Sequence, residues 1–182
     1  MLLDTPLCDF GWKAPDFSLQ DPHGKTFTMS DQLGEKGLLL AFICNHCPYV
    51  QAIADRLAAD ANQLMCEGIH VLAIMSNDYR SVPADSPENM LKFAARYRFN
   101  FPYLIDEGQS VGKAYGAVCT PDFFGLNNQG QLQYRGRLDD ARMEKAHNRT
   151  PELLNAMRLV AATGKGPKDQ NPSMGCSIKW KM

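Results

Sequence analysis

The most constraining stretch of this 182-residue chain is residues 38–51, where an unbroken apolar run from Leu38 to Ile43 leads into Cys44-Asn45-His46-Cys47-Pro48. Apolar residues in succession, without alternation, predict a strand buried on both faces. Pro48 suits the first turn of a helix. Beyond it Val50, Ile53, Ala54, Leu57, Ala58, Ala61, Leu64 and Met65 recur at helical spacing until Gly68 ends the pattern. Two cysteines are therefore delivered to a strand-to-helix turn. Unpaired backbone N–H groups and the positive end of the helix dipole would lie close to Cys44 and favour a thiolate over a thiol.

The remaining elements follow in order. Residues 1–15 read as irregular. Ala14-Pro15-Asp16-Phe17-Ser18-Leu19 runs into a short strand, Asp21-Pro22-His23-Gly24-Lys25 is a turn, and Thr26 to Met29 a return strand, which together make a hairpin. Ser30 to Gly34 reads as one capped helical turn, and Gly37 to Ile43 as the central strand. Ile69 to Met75 is strand-like, Ser76 to Pro87 a loop, and Glu88 to Tyr97 a helix. Phe101 to Ile105 is a short strand and Gln109 to Tyr115 a short helix. Asp122 to Asn127 and Leu132 to Arg137 form a hairpin around Asn127-Asn128-Gln129-Gly130, and Thr150 to Thr163 is the last helix. This order predicts one α/β domain over residues 1–182, with a core of about 14–163, a parallel centre and an antiparallel hairpin edge. Residues 164–182 form a tail in which Gly175 to Trp180 has the composition to pack back on the domain.

The formal charge of −1 comes from mixed basic and acidic residues, so no field of one sign would attract nucleic acid or an acidic lipid surface. The long apolar runs are strand-sized, and the N-terminus has no basic region leading into an apolar segment. The expectation is a cytoplasmic protein without a membrane span. Its six cysteines, Cys8, Cys44, Cys47, Cys66, Cys119 and Cys176, include one pair at motif spacing. A core of this size needs no disulfide staples, so mostly reduced thiols with one reactive pair are expected.

A Cys-x-x-Cys pair can bind zinc or cycle between dithiol and disulfide. Structural zinc normally needs four ligands, and neither a second such pair nor a His-x-x-x-His occurs here; His70 and His147 have no partner at metal spacing. Position after a buried strand and at a helix start decides for redox chemistry.

Ala14-Pro15-Asp16-Phe17-Ser18-Leu19, the Gly24-Lys25 turn, the strand into Cys44-Asn45-His46-Cys47-Pro48, Gly68-Ile69-His70-Val71-Leu72-Ala73-Ile74, and Thr120-Pro121 before a hairpin together resemble the thioredoxin superfamily. The nearest branch is that of the peroxiredoxin-like (alkyl hydroperoxide reductase/thiol-specific antioxidant) and TlpA-type thiol–disulfide oxidoreductases, matched in order over roughly residues 14 to 140. The resemblance implies a thioredoxin-like fold, with a central mixed sheet flanked by helices and an N-terminal β-hairpin extension. It implies Cys44 as a partly exposed attacking thiolate and Cys47 as the resolving thiol, with His46 and Asn45 tuning the thiolate. A potential more oxidising than thioredoxin's, about −270 mV, is expected from His46. Thr120 and a cis-Pro121 would face the pair, with the Thr120 backbone turned outward to a substrate strand.

The same resemblance shows departures. Peroxiredoxins carry a Thr three residues before the peroxidatic cysteine and a Pro four before that; counting back gives Ala41 and Gly37 from Cys44, or Cys44 and Leu40 from Cys47. The buried Asp of thioredoxins is replaced by Leu38 and the Glu of TlpA-type proteins by Val50, so no carboxylate proton acceptor for Cys47 is assigned. Cys119 and Cys176 are candidate accessory thiols. Cys119, beside Thr120, reads first as a small buried apolar residue at a strand end and alternatively as a trapping thiol, and Cys176 reads as part of a packing tail and alternatively as a resolving cysteine. The leading expectation is a thiol–disulfide oxidoreductase without a bound cofactor, exchanging with protein or small-molecule disulfides and with a dithiol electron donor or acceptor. One alternative is a thiol peroxidase that oxidises Cys44 to a sulfenic acid. Another is a copper- or zinc-handling protein using Cys44, Cys47 and His147. Direction of electron flow and oligomeric state stay open.

Overall fold

A computed structural model describes residues 1–145 and 148–182. The strand read as central is β4 (Leu38–Phe42), every residue of which is buried. Its alternate side chains feed two cores. Leu39, Ala41 and Ile43 face one layer, and Leu38, Leu40 and Phe42 the other. Full burial of a side chain of this size is worth roughly 1.5–3 kcal/mol, so a strand that contributes to both layers is a principal source of stability.

On one side of β4 lies the parallel strand β5 (His70–Met75), and beyond it β6 (Tyr103–Ile105), also parallel. On the other side are the antiparallel strands β8 (Asp122–Leu126) and β9 (Leu132–Tyr134). The N-terminal hairpin, β2 (Ser18–Gln20) and β3 (Thr26–Thr28), joins through β2 to β6 and completes a seven-stranded mixed sheet of order β3-β2-β6-β5-β4-β8-β9. The expected hairpin turn at residues 127–130 is tied by Asn127, whose Oδ1 accepts from the N–H of Gln129 and of Gln131, both at 3.0 Å.

One face of the sheet is covered by α2 (Pro48–Cys66), α3 (Pro87–Tyr97) and α5 (Glu152–Thr163). Pro48 opens α2, and Val50, Ile53, Ala54, Leu57, Ala61 and Leu64 form its buried stripe. Ser86 caps α3 by accepting from the Asn89 N–H, as its Ser-Pro-Glu start predicts. The opposite face receives α1 (Met29–Gln32), α4 (Ser110–Tyr115) and an aromatic cluster of Trp12, Phe17, Phe42, Tyr115 and Phe124. No helix among the described residues is long and apolar enough to cross a membrane.

The N-terminus departs from its irregular reading, because β1 (Leu2–Asp4) pairs antiparallel with β10 (Met174–Ser177), the strand formed by the tail. β10 pairs in turn with β7 (Cys119–Thr120), giving a second, three-stranded sheet. Three residues alternating exposed and half-buried carry too weak a pattern to be seen alone, and β1 exists because β10 offers it an edge.

Candidate active site

The helix starts at Pro48, as expected. Cys47 is the N-cap of α2, and its carbonyl accepts from the Val50 and Gln51 N–H groups at 3.1 and 2.9 Å. Cys44 lies in the turn between β4 and the helix. Contrary to the expected partial exposure, Cys44 is 1% exposed and Cys47 0%. A turn closed on both sides by other parts of the chain buries both sulfurs.

The environment separates the two thiols. Hydrogen bonding from the Cys44 thiol, with further help from Thr120 and the backbone N–H groups of Cys176 and Val50, outweighs burial and pulls the Cys47 thiol far below its ordinary range. The same bond to Cys47, burial, and the nearby Asp85 carboxylate push the Cys44 thiol up. Of the two coupled thiols, Cys47 is thus the one its surroundings favour as a thiolate. The Thr120 carbonyl oxygen, 3.2 Å from Cys47 Sγ, accepts a hydrogen bond from the Cys47 thiol.

Asp85, fully buried at the end of a 3₁₀ turn (Pro83–Asp85), is a carboxylate of the site that the sequence did not point to, and it lies on the Cys44 side of the pair. Its Oδ1 accepts from the backbone N–H of Asn45 (2.8 Å) and of His46 (3.1 Å), and its Oδ2 lies 2.6 Å from His46 Nδ1 and 2.9 Å from Asn77 Nδ2. Burial works to raise its pKa, but the hydrogen bonds of His46, Asn77 and Asn45 prevail and hold it below the usual carboxylate range. Hydrogen bonding to Asp85 raises His46 despite desolvation. His46 Nδ1 is 3.7 Å from Cys44 Sγ. Asn45 is clamped by Tyr103 Oη, which donates to its Oδ1 at 2.9 Å, and its Nδ2 donates to the Ala84 carbonyl. The only hint of Asp85 in the sequence was an acid in a proline-rich loop. Its approach to residues 45 and 46 depends on how two βα loops meet at one end of the sheet.

The Thr120–Pro121 bond is cis and faces the pair. Thr120 Oγ1 is 3.4 Å from Cys44 Sγ. Its backbone is not turned to an open edge, however, because β10 is already paired with β7 in the register Cys176↔Thr120. The tail competes successfully for that edge because Gly175 has no side chain: a Cβ there would stand 1.9 Å from the Thr120 oxygen.

Of the accessory thiols, Cys176 is half-buried beside the pair, with its backbone N–H directed at Cys47 Sγ. Cys119 is buried at a strand end, and its thiol, whose Sγ lies 3.7 Å from the Pro121 carbonyl oxygen, is pushed up to about 12 by burial and by Asp122. Cys8 is half-buried away from the pair and Cys66 is exposed at the end of α2. His70 Nδ1 lies 2.7 Å from the Gln32 carbonyl oxygen. His147, the distant metal ligand of one alternative, lies outside the described residues. Ligand atoms of Cys44, His46 and Asp85 do come within 4.8 Å of one another, but the Asp85 oxygens already take four hydrogen bonds.

A mixed sheet flanked by helices, with paired cysteines at the start of α2 and a proline loop facing them, defines a thioredoxin-like protein, and solved thioredoxin-like domains share this architecture. Residues 10–135 match the AhpC/TSA family, and the chain belongs to it. It is similar to the thiol-disulfide oxidoreductase ResA of Halalkalibacterium halodurans, 27% identical over 130 residues that cover 71% of this chain and 69% of that one. Peroxiredoxin Bcp of Escherichia coli (strain K12) is 28% identical over 117 residues, covering 64% of this chain and 70% of that one. An uncharacterised conserved protein from Geobacillus kaustophilus, known from its crystal structure, superposes with a TM-score of 0.92 at 40% identity over 100% of this chain and 97% of that one. These relationships make the protein an oxidoreductase of the thiol-disulfide and peroxiredoxin-like kind.

Proposed function

We propose that the protein is a thiol–disulfide oxidoreductase whose redox couple is Cys44–Cys47, with Cys47 as the attacking thiolate and Cys44 as the resolving thiol. The observation that carries this reading is the position of Cys47 at the N-cap of α2, where backbone N–H groups and the Cys44 thiol stabilise its charge. Cys47 attacks one sulfur of a substrate disulfide, forms a mixed disulfide and releases the first substrate thiolate. Cys44 then loses its proton and attacks Cys47 Sγ, which releases the second thiolate and leaves the Cys44–Cys47 disulfide. Asp85 and the His46 ring are the acid–base groups within reach of the Cys44 proton. A dithiol donor reduces the couple again. The reading places the protein in the cytoplasm, where a dithiol is most easily sustained.

The edge of Thr120 is occupied by β10, which favours a small-molecule disulfide over an extended polypeptide. A cleft of about 490 Å³, lined among others by Tyr49, Pro121, Arg137, Asp139 and Met174, reaches the cis-proline loop, though neither cysteine lines it, and has room for such a substrate.

The test is reduction of a small aromatic or hydroxyethyl disulfide by the reduced protein. Cys47→Ser is expected to abolish turnover, and one equivalent of oxidised glutathione should give the Cys44–Cys47 disulfide in the wild type. A Cys47→Ser protein as active as wild type overturns the assignment. Steady peroxide consumption coupled to a dithiol donor would move it to the thiol peroxidase, with Cys47 as the oxidised sulfur.

A further inference from the structure

Both sulfurs of the couple are closed off from solvent, at 1% and 0% exposure, yet a redox couple must exchange electrons with something outside. A third sulfur bridges this gap. Cys176 is partly exposed, belongs to the tail strand β10, and packs against the same cluster that buries Cys44 and Cys47. Its position is fixed by several independent contacts. In the β10–β7 register it stands opposite Thr120, the residue whose Oγ1 and carbonyl oxygen touch Cys44 Sγ and Cys47 Sγ. Gly175 lets the strand close on Thr120 and Pro121, and Ser173 Oγ donates to the Pro121 carbonyl at 2.7 Å. Lys179 anchors the far end, its N–H donating to Asn77 Oδ1 at 2.8 Å and its carbonyl accepting from the Asp78 N–H at 2.8 Å. This tail is built onto the site on both sides of Cys176.

We infer that Cys176 is the solvent-side sulfur of a three-thiol relay, through which the buried Cys44–Cys47 couple exchanges electrons with external thiols. The inference rests on the proposed couple. In the internal step the Cys176 thiolate attacks Cys47 Sγ of the Cys44–Cys47 disulfide; the Cys47–Cys176 bond forms, the Cys44–Cys47 bond breaks, and Cys44 leaves as a thiolate that takes up the proton Cys176 lost. No electrons are gained or lost. In the external step the thiolate of a low-molecular-weight thiol or a dithiol protein attacks Cys176 Sγ, the accessible end of the new disulfide, and Cys47 leaves as a thiolate. A second external thiolate then attacks the external sulfur of that mixed disulfide and releases Cys176, so two electrons enter and one external disulfide leaves. In the external step attack falls on Cys176, because thiol–disulfide exchange is faster at an accessible sulfur and with the better-stabilised thiolate, Cys47, as leaving group. In the internal step it falls on Cys47 because the Cys176 side chain lies against it.

The experiment uses the full chain and two variants whose folding is checked by circular dichroism. Cys44→Ser is treated with one equivalent of oxidised glutathione, alkylated and mapped by peptide mass. The expected product is the Cys47–Cys176 disulfide; glutathione retained on Cys47, with Cys176 alkylated, overturns the relay. Cys176→Ser is expected still to form the Cys44–Cys47 disulfide but to be reduced by glutathione at least about tenfold more slowly than wild type. Reduction at the wild-type rate overturns the relay. Absence of the Cys44–Cys47 disulfide in Cys176→Ser and in wild type alike overturns the couple instead, a failure the Cys44→Ser map does not produce.

Discussion

Asp85 holds His46 beside the thiol pair: its buried carboxylate lies 2.6 Å from the ring Nδ1 of a histidine 39 residues earlier in the chain, and that same Nδ1 is 3.7 Å from Cys44 Sγ. The same carboxylate fixes the backbone N–H groups of residues 45 and 46, so one side chain sets both the charge and the shape of the turn.

Asp85→Asn is therefore expected to destabilise the protein by about 2–4 kcal/mol, because it leaves a cationic ring and two backbone donors with a poorer partner. His46 is raised above its unfolded value, so its contribution is complete below about pH 6.5 and fades as pH rises through the folded value; Asp85 is lowered, so its contribution is complete above about pH 4 and fades as pH falls through the folded value. Urea unfolding of wild type and variant should differ most between those limits. A gap that widens steadily above pH 8 would contradict the ion pair.

The location of the charge can be read spectroscopically. Thiolate absorbance near 240 nm in the reduced protein at pH 7 should correspond to one thiolate, lost in Cys47→Ser and kept in Cys44→Ser. Because the Cys47 pKa is lowered, its ionisation stabilises the fold above the unfolded thiol value and that stability is lost as pH falls toward the folded one. Loss of the thiolate in Cys44→Ser alone would restore the expectation that Cys44 is the nucleophile.

Tail docking depends on Gly175. In Gly175→Ala the new Cβ would meet the Thr120 oxygen at 1.9 Å and Pro121 Cδ at 3.2 Å, and a forced contact of this kind costs about 1–3 kcal/mol. Release of β10 is the cheaper response. Limited proteolysis should cut the variant between residues 164 and 173 well before wild type, and equal cleavage rates would show that the tail is not held there.

A second buried pair, away from the thiols, anchors β8 to β9. Arg135 Nη2 lies 2.9 Å from Asp122 Oδ2, and its guanidinium also donates to the Gly116 carbonyl and stacks on Phe124. Arg135→Leu should cost about 3–5 kcal/mol at pH 7, since Asp122 is left charged and buried. Burial already raises Asp122 even with Arg135 present, so its charge costs stability as pH rises through the folded value and the loss should shrink toward pH 4. A deficit independent of pH in a thermal melt would assign the loss to packing alone.

The central architecture was legible in local patterns. The uninterrupted apolar run predicted β4, the helical stripe after Pro48 predicted α2, and Asn127 to Gly130 predicted the β8–β9 turn, because periodicity, capping and turn chemistry act over a few residues. That Cys44, His46, Cys47 and Thr120-Pro121 come together was also foreseen, since a buried strand followed by a helix delivers the cysteines to its end and the proline loop faces them. Tertiary structure decided what those residues are to one another. Asp85 reaches the turn from a different βα loop, and β10 takes the Thr120 edge from the far end of the chain and brings β1 with it. Helix-start N–H groups, a neighbouring thiol and a buried carboxylate act together on two sulfurs only a turn apart, lowering the Cys47 thiol and raising that of Cys44. Such sums depend on distances between segments that local sequence does not encode, so the sequence marked the candidate residues and the fold decided what surrounds them.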